Sequence, residues 1–476
     1  MEPVAAWGIA ALQATEHELL LVAAVGILIF GIEDLLFDGL WLARRRARAP
    51  VARLSPLRGS IAVFVPAWHE AAVLPGTLRG MLQAWQDDDV RVYVGCYPND
   101  GVTLLAVSAL IAADHRLRLV IAPHHGPTSK ADNLNQMWRA LGADERAERR
   151  TFAAVAVHDA EDLVSPGEID LYRRHLPGAM LVQIPVEPLL LRGGGPIAAH
   201  YADEFAEAHA KEMPLRAAFG TALPAAGVGC AFSRAALTLL ALGRSDGPFN
   251  AESLTEDYEA GLILGASGGI CRFVDERDAT GCRIATRSAF PATLADSVRQ
   301  KSRWIAGIAL GGWDRLDWQG RRPDDCFPAG DHRLQRPMLT GWMLWRDRRA
   351  TIAALVMLCA YAGMLLSACD LVGQASGAWR ASSVTPAMLS LLAANGLLLV
   401  WRLMMRALFS GSIYGWRQGV LAIPRAFVGN IVQILAARRA LVIYCRQLWT
   451  REIIWDKTVH TPPPTAATYV PTAAVR

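Results

Sequence analysis

The sequence predicts an α/β domain with a Rossmann-like, mixed and mostly parallel sheet, carried on α-helical transmembrane and interfacial segments. Three observations predict it. Near-continuous apolar strand candidates alternate with helical stretches between residues 55 and 290, the pattern of a largely parallel sheet covered on both faces. Apolar runs long enough to cross a bilayer sit near both ends of the chain. The first four strand candidates each lead into a polar loop holding an acid or a lysine, where ligands collect in such sheets.

Composition agrees. The chain has 476 residues, 53% of them hydrophobic and 19% charged, more apolar than an ordinary soluble enzyme. A net charge of +4 is too small to argue for nucleic acid. The eight cysteines form no CxxC pair, which argues against a zinc site or a disulfide framework and fits a reducing compartment.

The first apolar run starts at residue 17 and leads into Arg44, Arg45, Arg46, Arg48 and Arg53, a cluster that normally stays cytoplasmic. It lacks a small-residue cleavage site, so a retained span is expected. Residues 351–373 form a second span, preceded by Arg346, Arg348 and Arg349, and residues 385–409 a third, with Arg402 and Arg406 at its far end. One orientation satisfies all three clusters: N-terminus outside, residues 45–345 inside, C-terminus inside. Glu33, Asp34 and Asp38 near the inner end of the first span read either as a frayed helix end or as helix-pairing groups. Residues 419–445 can be counted as a fourth span, but Pro424, Arg425, Arg438 and Arg439 favour a helix lying in the inner interface.

The strand candidates are 61–65, 90–96, 117–122, 152–157 and 180–184. PAWHE (66–70) follows the first, YPNDG with Asp100 the second, HHGPTSKADNLN with Lys130, Asp132 and Asn133 the third, and HDAED the fourth. Together the loops suit a nucleotide, with a ring near Trp68, a carboxylate on sugar or base, and Lys130 against phosphate. Asp159, Glu161 and Asp162 within four positions raise one another's pKa unless a cation relieves them. Mg²⁺ or Mn²⁺, which binds one or two carboxylates plus substrate phosphates, answers that need by holding a diphosphate.

PAWHE, YPND, KADNLN, HDAED, TED at 255–257 and QKSRW at 300–304 occur in the order seen in membrane-bound family 2 glycosyltransferases, the cellulose- and hyaluronan-synthase-like enzymes with a GT-A domain. The resemblance covers roughly residues 55–310. GIEDLLFDGLW in the first span, AGVGCAFSR at 226–234 and WDKTVH at 455–460 resemble one inner-membrane branch of that family, the phage adsorption protein B type, whose implied product is an amino-sugar-containing surface glycan.

The resemblance implies roles. Asp159 and Glu161 hold the metal, with Glu161 departing from the usual aspartate; Asp162 is either the true second ligand or a cap or turn residue. Pro66, Trp68, Glu70, Asp100, Lys130 and Asn133 bind the nucleotide sugar. Asp257 is the general base of an inverting displacement, with Glu256 beside it; the segment also reads as a capped helix start. Gln300, Arg303 and Trp304 sit beside the active site at the interface, Arg303 on diphosphate and Trp304 under the acceptor sugar, although Arg and Trp also anchor helices to headgroups. Gly229 and Cys230 lie at the acceptor end, Cys230 as a packing residue rather than a reactive thiol. Lys457 and His460 either close over the nucleotide or belong to an ordinary tail.

His124 and His125 read as loop rather than a metal pair, and LRGGGP (191–196) lacks the following GK[ST] of a phosphate loop. The expected division is therefore a first span with its basic flank (1–54), the GT-A domain (55–290), interfacial helices (291–345), two spans (346–410), an interfacial amphipathic segment (411–450) and a cytoplasmic tail (451–476). Expected partners are a UDP-sugar, a glycan or lipid-linked acceptor, membrane lipids, and an export partner or second copy, since three spans do not enclose a channel. Many relatives carry a C-terminal cyclic-dinucleotide-sensing domain, for which the residues after WDKTVH leave no room.

Overall fold

The computed structural model describes residues 3–45, 55–86, 88–191, 194–322, 336–380 and 384–450. Its centre is a seven-stranded sheet in the order β3-β2-β1-β4-β7-β5-β8. The strands are β1 (Ser60–Pro66), β2 (Val90–Cys96), β3 (Leu117–Ile121), β4 (Phe152–Val157), β5 (Leu181–Gln183), β7 (Cys230–Ser233) and β8 (Cys271–Phe273). All neighbours run parallel except β7, which is antiparallel to both β4 and β5. The short strands β6 (Val186–Pro188) and β9 (Thr286–Ser288) pair in a second, parallel sheet.

β1 shows why these residues form a central strand. Ile61, Val63 and Val65 point into one apolar layer and Ala62 and Phe64 into the other, and all five are fully buried. Each large side chain so placed contributes about 1.5–3 kcal/mol of burial. Helices Leu74–Ala84 and Lys130–Glu148 cover opposite faces. The second begins where Ser129 caps it by accepting from the N–H of Asp132, which sets Lys130 at its first turn.

Four helices are long and apolar enough to cross a membrane, Pro3–Arg45, Ala350–Ala375, Pro386–Tyr414 and Trp416–Thr450, which marks the chain as a membrane protein. The last two are joined at Gly415, whose φ of +91° is open to glycine and strained for other residues. The acids of the first helix prove to be helix-pairing groups. Glu33 accepts from the Trp342 indole at 2.7 Å, Asp34 pairs with Arg346 at 2.9 Å and Arg349 at 2.8 Å, and Asp38 pairs with Lys211 at 2.6 Å. Lys211 also reaches Glu207, and Arg425 of the last long helix holds Asp203 at 2.8 Å. A helical run through residues 196–219 thus ties the sheet domain to the apolar helices.

Candidate active site

The carboxyl ends of β1 and β4 open into a cavity of about 650 Å³. At one end lie Pro66, Trp68 and Glu70, with Lys130, Asp159 and Glu161 next to them. Glu256 and Asp257 of the helix Glu256–Ala266 form a further wall, and Gln300, Arg303 and Trp304 come in from Leu294–Ile305, which packs on the apolar helix Trp416–Thr450. Eleven of the site residues expected from the sequence therefore share one cavity.

Lys130 faces three carboxyl groups. Lys130 Nζ lies 2.6 Å from Asp159 Oδ1 and donates to the carbonyl of Gly227 at 3.1 Å. Burial pulls the ammonium's pKa down, but the charges of Asp159, Glu256 and Asp257 outweigh it and hold it well above the ordinary lysine range. Burial raises the carboxyl of Asp257, against the pull of Lys130. Glu256 is pushed up to about 8 by burial and then by the charge of Asp257.

The cluster HDAED owes part of its neutralisation to a residue whose role the sequence did not suggest. His158 is fully buried, with one ring nitrogen 3.2 Å from Asp162 and the other 2.7 Å from Glu168. Burial opposes its charge, yet these two carboxylates hold the imidazole up at about 10. Asp162 accepts the backbone N–H of Asp159 at 2.9 Å and the Ser288 hydroxyl. It is a buried turn-former rather than a solvated one, and it fixes the segment that carries Asp159.

Four expected residues lie outside the cavity lining. Asp100 accepts the N–H of His69 at 2.7 Å and caps the helix Gly101–Ala113 through Thr103. Asn133 is buried and donates to the carbonyl of Gly95. Gly229 packs against Thr286. Cys230 is sealed in β7, where burial drives its thiol far above the ordinary range, as a packing residue requires. Lys457 and His460 lie outside the described residues. His124 bonds Asp132 at 2.8 Å, which agrees with loop chemistry.

Around the QKSRW residues the cavity has lining that was not foreseen. Phe205, His209, Phe290 and Asp347 border it. The spacing Tyr201, Phe205, His209 was the available signal, because residues four apart share a helix face.

Among the described residues no three His, Cys, Asp or Glu side chains group as a metal cage. Asp159 and Glu161 nonetheless suit a hard divalent ion, which needs only one or two carboxylates when phosphate oxygens and water complete its shell.

The family model described as glycosyltransferase like family 2 matches residues 58–307. Bacteriophage adsorption protein B of Escherichia coli strain K12 and bacteriophage N4 adsorption protein B of Escherichia coli O157:H7 are each 33% identical over 470 residues, 92% of this chain. The chain spans 61% of the length of these curated relatives. A mannosyltransferase from Pyrobaculum calidifontis, solved with GDP-Man and Mn²⁺, shares the fold with a TM-score of 0.52 and 18% identity, over 90% of this chain and 99% of that one. The sheet domain has the GT-A fold, and the chain belongs to glycosyltransferase like family 2.

Proposed function

We propose that this chain is an inverting glycosyltransferase of the bacterial inner membrane that moves a sugar from a UDP-sugar to a growing glycan destined for the cell surface. One observation carries the reading: Lys130, Asp159, Glu161, Asp257 and the Gln300–Arg303–Trp304 face border a single cavity. Asp257 takes the proton of the acceptor hydroxyl as its oxygen attacks the anomeric carbon, and the bond to the diphosphate breaks on the opposite side. Lys130 and Arg303 receive the departing charge. A bound Mg²⁺ or Mn²⁺, held by Asp159 and Glu161, would supply Lewis-acid stabilisation of the diphosphate. The names of the Escherichia coli relatives, which refer to phage adsorption, support a product displayed at the surface.

A second reading, a single addition to a lipid-linked acceptor, is favoured by the reach of the cavity to Asp347 and Ala350, where an apolar helix begins. Purified protein in lipid, incubated with a panel of UDP-sugars and Mn²⁺, decides. A product ladder supports polymer synthesis and one defined product supports single addition, whereas no consumption of any donor, with or without metal, rejects transfer. Prior chelation should abolish turnover.

The helix Trp416–Thr450 is proposed to lie along the inner interface, which keeps the C-terminal tail on the catalytic side. Support comes from its contacts: Arg425 with Asp203, Gly429 beside His200, and Tyr444 with Asp314. Between residues 425 and 444 a helix advances roughly 28 Å, nearly a bilayer's thickness, yet over that length it stays against the helices Pro196–Glu207, Leu294–Ile305 and Gly312–Arg315. A variant with Cys445 as sole cysteine should react with an impermeant maleimide only in inside-out vesicles; labelling of right-side-out vesicles would establish a fourth crossing.

A further inference from the structure

Residues 196–219 would be one continuous helix but for a π-turn at Ala208–Glu212, a feature found frequently at functional sites. The turn carries His209, buried against the cavity wall. Its ring is held between Phe205, with centroids 5.2 Å apart, and Phe273, at 5.6 Å. Nδ1 accepts the backbone N–H of Val186 at 2.8 Å. A ring nitrogen that accepts is unprotonated, so the neutral imidazole carries its proton on Nε2. Burial, reinforced by the charge of Arg283, lowers the pKa to about 3, so the ring stays neutral. Nε2 has no partner among the described residues and is not one of the sealed, unsatisfied polar atoms, so this N–H is left for something inside the cavity.

The surroundings say what that something is. Phe205 and Phe290 stand 5.1 Å apart, and Trp304 lies 6.2 and 6.5 Å from them. Aromatic walls with a neutral donor at their rim match a pyranose, whose C–H face packs on rings while its oxygens accept hydrogen bonds. We infer that His209 is a sugar-selecting residue whose Nε2–H donates to a hydroxyl or acetamido oxygen of the pyranose held between the carboxylate cluster and the membrane-side mouth. The inference rests on the transfer reading and adds to it a specificity determinant outside the HDAED, TED and QKSRW motifs. The ring is the donor's sugar or the terminal sugar of the acceptor, two sources of one chemistry.

Two substitutions separate recognition from support. In His209→Asn the amide oxygen replaces Nδ1 and keeps the Val186 bond, but the cavity-facing donor is gone. In His209→Gln the amide nitrogen falls near Nε2 and keeps the donor, but the Val186 bond is lost. Both are assayed in lipid with the nucleotide sugar that the parental protein consumes, alongside thermal melting. The expected result is a KM raised about tenfold in His209→Asn, the loss of one hydrogen bond, with an unchanged melting temperature, and a KM near the parental value in His209→Gln. A raised KM for the nucleotide sugar assigns the donor pyranose, and a raised KM for the acceptor assigns the acceptor pyranose. Parental KM values for both substrates in a folded His209→Asn protein overturn the inference and leave the transfer reading standing. A parental protein that consumes no nucleotide sugar overturns both.

Discussion

Lys130 Nζ and Asp159 Oδ1 are 2.6 Å apart, so the strand end that carries the expected metal ligand is already matched by a cation from the next-door helix. The lysine side chain is 20% exposed and the aspartate 34%, which leaves room for a diphosphate to approach both. Lys130→Met should weaken UDP binding about 10- to 100-fold, the worth of one charge-assisted hydrogen bond. Calorimetry with UDP and Mn²⁺ checks it, and undiminished affinity would remove Lys130 from the phosphate site.

Asp257→Asn should bind UDP as the parent does and transfer sugar about 10²- to 10⁴-fold more slowly, the contribution of a positioned base. Transfer at the parental rate would show that the base lies elsewhere.

Gly227→Ala offers a test of geometry without touching a charged group. A Cβ there would sit 2.2 Å from Asp257 Oδ2, at a φ of +75°. The clash must displace either the loop or the carboxylate, so transfer should fall at least about tenfold while the protein remains folded, given the strain of positive φ. Turnover and circular dichroism on one preparation decide it.

Glu256 predicts a pH dependence of stability. Its folded-state pKa is raised to about 8, by burial first and then by Asp257. A carboxyl raised in this way holds an extra proton in the folded state between its unfolded and folded pKa values. Its contribution therefore lowers stability as pH rises from the ordinary carboxylate range to about 8. Glu256→Gln should flatten that decline, seen as a smaller drop in melting temperature across roughly pH 5 to 9. Parallel melting curves for parent and variant would contradict it.

His158→Ala should leave Asp162 and Glu168 as buried carboxylates without their cation and cost about 3–5 kcal/mol. Adding Glu168→Gln should return part of that loss. Thermal melts of the single and double variants measure the recovery.

Much of the sheet domain was legible because its signals are local. The strands at 90–96 and 152–157 announce themselves through runs dominated by valine, alanine and aromatic residues, and the polar loops after them follow from chain direction in a parallel sheet. β7 was missed: four residues of CAFS carry no periodicity, and only pairing with β4 and β5 makes them a strand. Cys230 lies in β7 and Gly229 immediately before it, a placement that likewise depends on that pairing.

By itself the sequence determined the α/β class, the apolar helices, and the carboxylates, lysine and QKSRW residues that meet in the cavity, because hydrophobic periodicity and motif order are written in neighbouring residues. Only the tertiary structure decided that Lys130 faces Asp159, that His158 neutralises Asp162, and that Asp34 and Asp38 clamp helices hundreds of residues away. It alone turned His209 toward the cavity. Charge balance and burial are sums over groups distant in the chain, and no local pattern contains them until the backbone has closed.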